Sequence, residues 1–423
     1  MLLGVAGRRP KYWWDLGQSI DSDLGGLLGT HVRNSNGLYT NPTTELITTV
    51  GNNIPRFERQ GGHLAILDEP AGTNLIQYSH ELGNVASGGW WTDVRCTVTS
   101  NVTTAPDGNV TADKIVLDGT GASTHIVYST IAQATFTDNA SVTFSVYLKL
   151  GELTWVQLEL STKAAATVAA YFNLSTGAVG GEGVDNYGSE EAANGFWRFW
   201  ITHDIGIGAN NPAFGIYLAE GDGDRVIDGD STSGIYAWGA QVEEFPVPTS
   251  YVPTSGATAS RATESGYPLY DLPLGLFDAE GTASVWVRFG YPYTSHSVGG
   301  HGSGLIATSN NINSLLTAYY DGTNAMVYSD DAVNEAQKTL LNWPANTWYK
   351  FVVKWSSATS KMRVGYDIGA GIVWGAEVAF DGSYTLGTSL RLAFGLFGPM
   401  WLRDLRLYDR IPSDSEINSM GSP

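Results

Sequence analysis

The feature that most constrains this chain is its succession of short alternating segments. Between residues 76 and 255 the stretches TADKIVL, STHIVYST, SVTFSVYLKL, TWVQLELST, TVAAYFNLST, FWRFWITHDI, NPAFGIYLAE and SGIYAWGAQVEEF follow one another, and most set apolar and polar residues in turn. Successive side chains of a β-strand point to opposite faces, so a period of two marks a strand with one face in a core and one outside. The segments are punctuated by PDGN, LDGTG, STGAVGG and GDGD. Glycine supplies the positive φ that tight turns need, and Asp and Asn bond their own backbone. About eight such strands predict two antiparallel sheets packed face to face.

The pattern restarts in 267–423 with TASVWVRFG, GLIATS, LLTAYYDG, AMVYSD, WYKFVVKWS, KMRVGYDI, VWGAEVAF, LRLAFGLF and MWLRDLRLYDR. Pro412 and Ser413 then precede DSEINSM, whose acidic first turn suits a helix N-terminus. Residues 1–75 read as an irregular lead-in in which HLAIL is one strand candidate and no helical period occurs. The Pro-, Ser- and Thr-rich run FPVPTSYVPTSGATASRATES predicts a linker over its later part. The expected fold is therefore all-β: two antiparallel, jelly-roll-like β-sandwich domains (76–255 and 267–423), a linker at 256–266, and an irregular N-terminal docking segment at 1–75.

Composition agrees with that organisation. A length of 423 residues exceeds one sandwich. With 51 glycines, 12% aromatic and only 15% charged residues, the chain suits short strands and tight turns rather than a helical bundle. A formal net charge of −19 repels phosphate backbones and anionic membranes, so nucleic acid is not an expected partner. No apolar run is long enough for a membrane-spanning helix, and no membrane insertion is expected. Met1–Gly7 is too short for a signal peptide, and Arg8, Arg9 and Lys11 follow its apolar part instead of preceding it. Cys96 is the one cysteine, so neither an intrachain disulfide nor a multi-cysteine zinc site can form within the sequence.

Several phrases carry a resemblance. TNLIQYSHELGN followed by WWTDVRCTVTSNVTTAPDGNVTADKIV resembles a module common in phage tail and virion proteins, through Asn74, Leu75, Ser79, Trp91, Ala105–Gly108 and Thr111–Lys114. The same module type ends on phrases that match Gly234–Glu243 (GIYAWGAQVE) and Thr249–Ala257, and its lead-in matches Ile54–Phe57 and Gly72–Leu75. The likeness covers residues 45–262. That family is described as carbohydrate-binding-module-like, which implies a sandwich fold more directly than sugar binding. The last third resembles the concanavalin A-like, laminin-G-like superfamily through TASVWVRF, the strand around Trp348 and Trp355, and the closing WLRDLRLYDRIPSDSEI, with Arg406, Tyr408, Arg410, Ser413 and Glu416–Ile417. The closing phrase implies a strand whose turn tucks in a final short helix.

The resemblances imply a phage protein on the virion exterior, a tail fibre, spike or head fibre, made in the host cytoplasm without a signal peptide. They imply lectin-like domains presented to a host surface polysaccharide, with other virion proteins as partners and a homo-oligomer, a trimer, as the assembly. Two other readings stay open: a capsid decoration, cement or connector protein that binds no glycan, and a glycan-degrading virion enzyme. Catalysis is not expected, because no nucleophile elbow, zinc-protease or phosphate-loop motif occurs. Glu159 in VQLEL alternates with apolar residues and could point into a concave face, but the pattern is first that of a solvated strand glutamate.

Sugars stack on exposed aromatic rings while polar side chains bind their hydroxyls. The candidates are Trp90, Trp91, Trp155, Tyr187, Tyr319, Tyr320 and Trp374, each of which could equally be a core residue. Trp197, Trp200, Trp238, Trp286 and Trp355 sit within apolar alternation and are assigned to core. EGDGDRVIDGDSTSG brings Asp222, Asp224, Asp228 and Asp230 close enough in sequence to hold Ca²⁺, or simply to make good turns. His296 and His301 share one glycine-rich loop without a third ligand. Tyr12, Trp13 and Trp14 would form an apolar patch on a free surface, so they are expected to dock on a partner or a later domain.

Overall fold

Alternating burial builds the sheets strand by strand. In Trp155–Ser161, Val156, Leu158 and Leu160 are fully buried, while Trp155, Glu159 and Ser161 remain partly exposed. The computed structural model describes residues 12–14, 29–83, 90–264, 267–271, 279–292, 303–308, 314–320, 325–331, 333–340, 343–381, 389–394 and 398–419. Its strands fall into two units, one formed by Gly37–Thr49 with Ala71–Arg261, the other by Met1–Asn36, Val50–Pro70 and Ala262–Pro423.

The first unit holds two six-stranded antiparallel sheets. One runs Asn186–Ala192, Phe196–Asp204, Ser141–Leu150, Gly234–Glu243, Val110–Leu117, Cys96–Thr104. The other runs Val179–Glu182, Thr167–Asn173, Trp155–Ser161, Ala213–Ala219, Ile126–Thr130, Trp91–Val94. Between them lies one continuous core, in which Phe172 meets Phe199 at 4.9 Å and Phe144 meets Phe214 at 5.9 Å between ring centroids. Cys96 is buried at its edge, and burial pushes its thiol up to about 12.

Two of the phrases that carry the virion-module resemblance, around Asn74–Ser79 and 239–254, make a latch on this sandwich. Asn74 donates from Nδ2 to the carbonyls of Ala240 (3.1 Å) and Val252 (2.9 Å), and its Oδ1 accepts from Ile76 and Val242 N–H. Ser79 Oγ bonds the Tyr251 hydroxyl at 2.6 Å and accepts from Thr254 N–H at 2.9 Å. Glu243, fully enclosed, accepts from Gln241 Nε2 and from both N–H and Oγ1 of Thr249. Gly239 holds φ at +64° where the register with Ser141–Leu150 shifts, and a Cβ there would stand 2.8 Å from the Tyr147 ring. These residues hold the returning chain to the sheet.

In the second unit, one nine-stranded sheet has the main order Val373–Trp374, Lys361–Asp367, Trp348–Ser356, Glu280–Phe289, Met400–Tyr408, His63–Asp68, Arg56–Gln60. The seven-stranded sheet begins at Gly29–Thr30 and Tyr267–Asp271 and ends at Glu335–Leu340. The closing phrase behaves as its resemblance implies. Ser413 Oγ accepts from Glu416 N–H and caps the helix Asp414–Asn418, Arg410 pairs with Glu416, and Ile417 is buried against Val352 and Tyr408.

The expected lead-in is not one separate segment. Tyr12–Trp14 pair with Leu405–Leu407, and Arg56–Gln60 and His63–Asp68 form a hairpin on the same closing strand. Gly37–Thr40 and Ile47–Val50 instead form a two-stranded ribbon. The expected linker contains the strand Ala259–Arg261, paired to Gly72–Asn74. The sequence pattern missed Arg56–Gln60 for a physical reason: its inward side chains are Arg56, Glu58 and Gln60, so the alternation is inverted in polarity.

Those inward charges are balanced. Arg33 Nη1 meets Glu264 at 3.1 Å, Arg56 Nη1 meets Glu69 at 2.5 Å, and Arg56 Nη2 also meets Glu264, all with fully buried side chains. Arg33 further donates to the carbonyls of Gly51 (2.8 Å) and Ile54 (3.2 Å). Two guanidiniums thus face two carboxylates. Asp68 is a further buried carboxyl, and neither of its oxygens has a hydrogen-bond partner among the described residues. Burial, reinforced by Glu264, pushes its pKa well above the ordinary value against the pull of Arg56 and Arg33. A carboxyl whose folded pKa is raised contributes stability that is intact below its unfolded value of about 4 and drains away as pH climbs through the folded value. Asp68→Asn cannot ionise. Its melting temperature is expected to gain on the wild type steadily from pH 4 to alkaline pH, and parallel melting curves across that range would contradict a neutral Asp68.

Candidate functional site

The outer face of the sheet centred on Trp155–Ser161 is where polar and aromatic groups converge. Register sets it out. Gln157 stands opposite Tyr171 on one side and Tyr217 on the other, and one row on, Glu159 stands opposite Ala169 and Gly215, with Tyr128 next across. Trp155 lies a row the other way, between Asn173 and Ala219. Tyr171 and Tyr217 are two strand spacings apart, about 9.6 Å. All four aromatic residues are partly exposed. At Gly215 a Cβ would stand 2.8 Å from Ile126 Cδ1, so the glycine lets Ile126 lie across the strand.

Arg225, from the loop after Ala213–Ala219, closes onto this row. Its Nη1 donates to Glu159 Oε2 (2.6 Å) and Gln157 Oε1 (2.7 Å), and its guanidinium lies 4.5 Å from the Tyr217 ring centroid. Tyr217 donates its hydroxyl to Glu159 Oε1 at 3.1 Å. Burial, then the charge of Glu159, push the Tyr217 phenol up to about 12, so it stays a donor. Burial works against the Arg225 charge, but the hydrogen bond and charge of Glu159 outweigh it and raise its pKa. The Arg225 side chain is 33% exposed and that of Glu159 16%, so the group is reachable from solvent. Ring faces flanked by fixed donors and acceptors match the two surfaces of a sugar, its apolar face and its hydroxyl rim.

Of the residues singled out in the sequence, Trp155 and Glu159 belong to this face. Trp91 is 1% exposed, donates from Nε1 to Tyr78 O at 2.8 Å and is core, which corrects its assignment as a sugar-stacking residue. Trp90 is half-buried against the same core and bonds Gln77. Trp374 packs beside Ile417, donates to Asp414 at 3.1 Å, and has Lys354 and Arg363 each 4.4 Å from its ring centroid, so its ring is spent on the C-terminal helix. Tyr187 is exposed on the other sheet of its sandwich. Tyr319 and Tyr320 end the strand Ser314–Tyr320, with side chains outside the described residues, as are His296 and His301. Trp13 donates to Asp404 at 2.6 Å beneath Arg406, so it is held by the closing strand of its own unit; the side chains of Tyr12 and Trp14 lie outside the described residues. Trp238, Trp286 and Trp355 are core as expected, and Trp197 and Trp200 are partly buried.

The four aspartates are a second correction. Asp222 accepts from Gly181 N–H (2.7 Å), Asp228 from Ala122 N–H (2.6 Å), and Asp230 from Thr232 and Ser233, while Asp224 joins Gly221 and Glu220 through its backbone. They tie separate turns, and no group of three acidic, His or Cys side chains among the described residues could hold a metal ion. Close spacing in sequence reflected turn chemistry. A site filled at a hundred times its Kd would add about 2.7 kcal/mol of stability. Saturating Ca²⁺ is expected to leave the melting temperature unchanged within about 1 °C, whereas a shift of several degrees would restore the calcium reading.

A second concavity, a cleft of about 380 Å³ in the same sandwich, is lined by Leu38, Ile47, His80, Asp107, Trp238 and Tyr251 among others. Its Trp238 and Tyr251 rings are only 3% and 2% exposed, and both are engaged, Trp238 with Thr111 and Tyr251 with Ser79. It is a notch in the latch and offers little ring surface.

No family model matches the chain, and no curated protein matches it. Among solved structures it is similar to the N-terminal CBM22-1-CBM22-2 tandem domain of Paenibacillus barcinonensis Xyn10C, with 12% identity and a TM-score of 0.25 over 80% of this chain and 98% of that one. It is also similar to domains LG4-5 of the mouse laminin alpha1 chain (8% identity, TM-score 0.21, 68% of this chain and 86% of that one). A third likeness is to the botulinum neurotoxin serotype D binding domain (15% identity, TM-score 0.25, 37% of this chain). The chain spans 41% of that neurotoxin domain's length. These scores carry no argument about function, and the all-β architecture rests on the sheets described above.

Proposed function

We propose that the protein is a non-catalytic glycan-binding protein that engages saccharide on the outer face formed by Tyr128, Trp155, Gln157, Glu159, Tyr171, Tyr217 and Arg225. The observation that supports it is the row itself: partly exposed rings on adjacent strands around a hydrogen-bonded Glu159–Arg225 pair. Both oxygens of Glu159 already hold partners, which suits positioning rather than proton delivery.

We place this activity on the exterior of a phage particle, as a tail fibre, spike or head fibre that attaches to host surface polysaccharide. The support is the ordered set of module phrases at Asn74–Ser79, Ala105–Gly108, Gly234–Glu243 and Thr249–Ala257. In the structure Asn74, Ser79, Glu243 and Thr249 from these phrases are spent on the latch, which leaves the ligand to the outer face. A trimer with other virion proteins as neighbours completes the reading. The connector reading, with no glycan, is what a folded protein that binds no cell and no polysaccharide would support.

The test is affinity electrophoresis and whole-cell binding with the full chain. Tyr217→Ala and Trp155→Ala are each expected to weaken binding at least tenfold while keeping the unfolding midpoint near that of the wild type. Trp374→Ala is expected to leave binding intact. Binding unchanged in both face variants, or release of reducing sugar ends by the wild type, would overturn the proposal.

A further inference from the structure

We infer that the outer face selects neutral glycans and turns away glycans bearing carboxylate or sulfate groups. The inference rests on the reading of that face as a saccharide site. Net attraction of an anionic sugar needs a cation whose charge is not already balanced by a neighbouring carboxylate. The cation of this face is Arg225, and Glu159 already balances its charge at 2.6 Å. Both hydrogens of its Nη1 are taken, one by Glu159 and one by Gln157. The central group is therefore neutral in sum.

Its margin is acidic. Asp222 is anchored to Gly181 N–H on Val179–Glu182, the strand beside Thr167–Asn173. Burial is the main cause that raises the Tyr171 phenol; Arg225 pulls it down, and Asp222 and Asp224 push it up. The hydrogen bond that anchors the Asp222 carboxylate comes from a backbone N–H, not a cation. The net charge of −19 on the whole chain acts in the same direction, screened by salt.

What the face does offer is suited to hydroxyls. The bonds to Glu159 and Gln157 use only Nη1 of Arg225 and Oε1 of Gln157, which leaves Arg225 Nε and Nη2 and Gln157 Nε2 outside that pairing. They are donors set beside the rings of Tyr171 and Tyr217, and the remaining lone pairs of Glu159 are acceptors. The two tyrosines span more than one sugar ring, so the ligand is an oligosaccharide or polysaccharide rather than a single sugar.

The test measures binding of the full chain to neutral polysaccharides (arabinoxylan, mixed-linkage glucan, galactomannan) and acidic ones (polygalacturonate, alginate, polysialic acid), at low and physiological salt. At least one neutral glycan is expected to bind tenfold or more tightly than any acidic glycan, with Tyr217→Ala abolishing the difference. Glu159→Gln frees the Arg225 charge and is expected to narrow the gap by gaining affinity for acidic glycans, its fold checked by thermal unfolding. An acidic glycan bound as tightly as any neutral one, and lost in Tyr217→Ala, would overturn the neutral selectivity while leaving the saccharide site standing. Glu159→Gln with no gain for acidic glycans would overturn the role given to the charge pair. A folded protein that binds neither class would overturn the inference together with the reading beneath it.

Discussion

Burial of Val156, Leu158 and Leu160 fixes where Trp155, Gln157 and Glu159 must stand. Each of those three apolar side chains is fully enclosed, and such burial stabilises a fold by about 1.5–3 kcal/mol per residue. A register slip of one would drive Gln157 and Glu159 into the space between the sheets and expose the leucines. The same constraint holds on both neighbouring strands, where Phe172 and then Phe214, Ile216 and Leu218 are enclosed and Tyr171 and Tyr217 are sent outward. The candidate site is thus the outer half of a pattern whose inner half is the core. That is why a row of rings and a charge pair can be held in place without a dedicated loop scaffold; only Arg225 comes from a loop.

The other unit adds a buried cluster of charges to its apolar core. Arg33, Arg56, Glu69 and Glu264 tie residues distant in sequence into one place, with Arg56 and Glu264 separated by 208 positions. Taking ions out of water costs several kcal/mol each, and only close pairing with further hydrogen bonds offsets it. Removing one partner of such a group costs about 3–5 kcal/mol, since a buried charge is left uncompensated. The hairpin of Arg56–Gln60 and His63–Asp68 is therefore committed to its sheet by charge matching, and Trp401 adds a bond from Nε1 to Glu58 at 2.9 Å.

The fold class was legible because apolar alternation and turn residues recur together, and the terminal helix because Pro412, Ser413 and two acids announce it. The strand Arg56–Gln60 was not, because its buried positions carry charge. Trp155 and Glu159 were legible one at a time as outward residues of VQLEL and its lead-in. Their neighbours Tyr171, Tyr217 and Arg225 were not, because which strands lie side by side is a property of the pairing, not of any one segment. Trp91 and Trp374 show the opposite failure. An aromatic residue at a segment boundary looks exposed in the sequence, yet one fills the core and the other clamps a helix.

Hydrogen exchange of the full chain, with and without a polysaccharide that it binds, tests the central claim most directly. The account predicts that added protection falls on 155–161, 167–173 and 213–225, with little change elsewhere in the chain. Protection centred on 314–320 or 361–374 instead, with the outer face of the first sandwich unchanged, would contradict it.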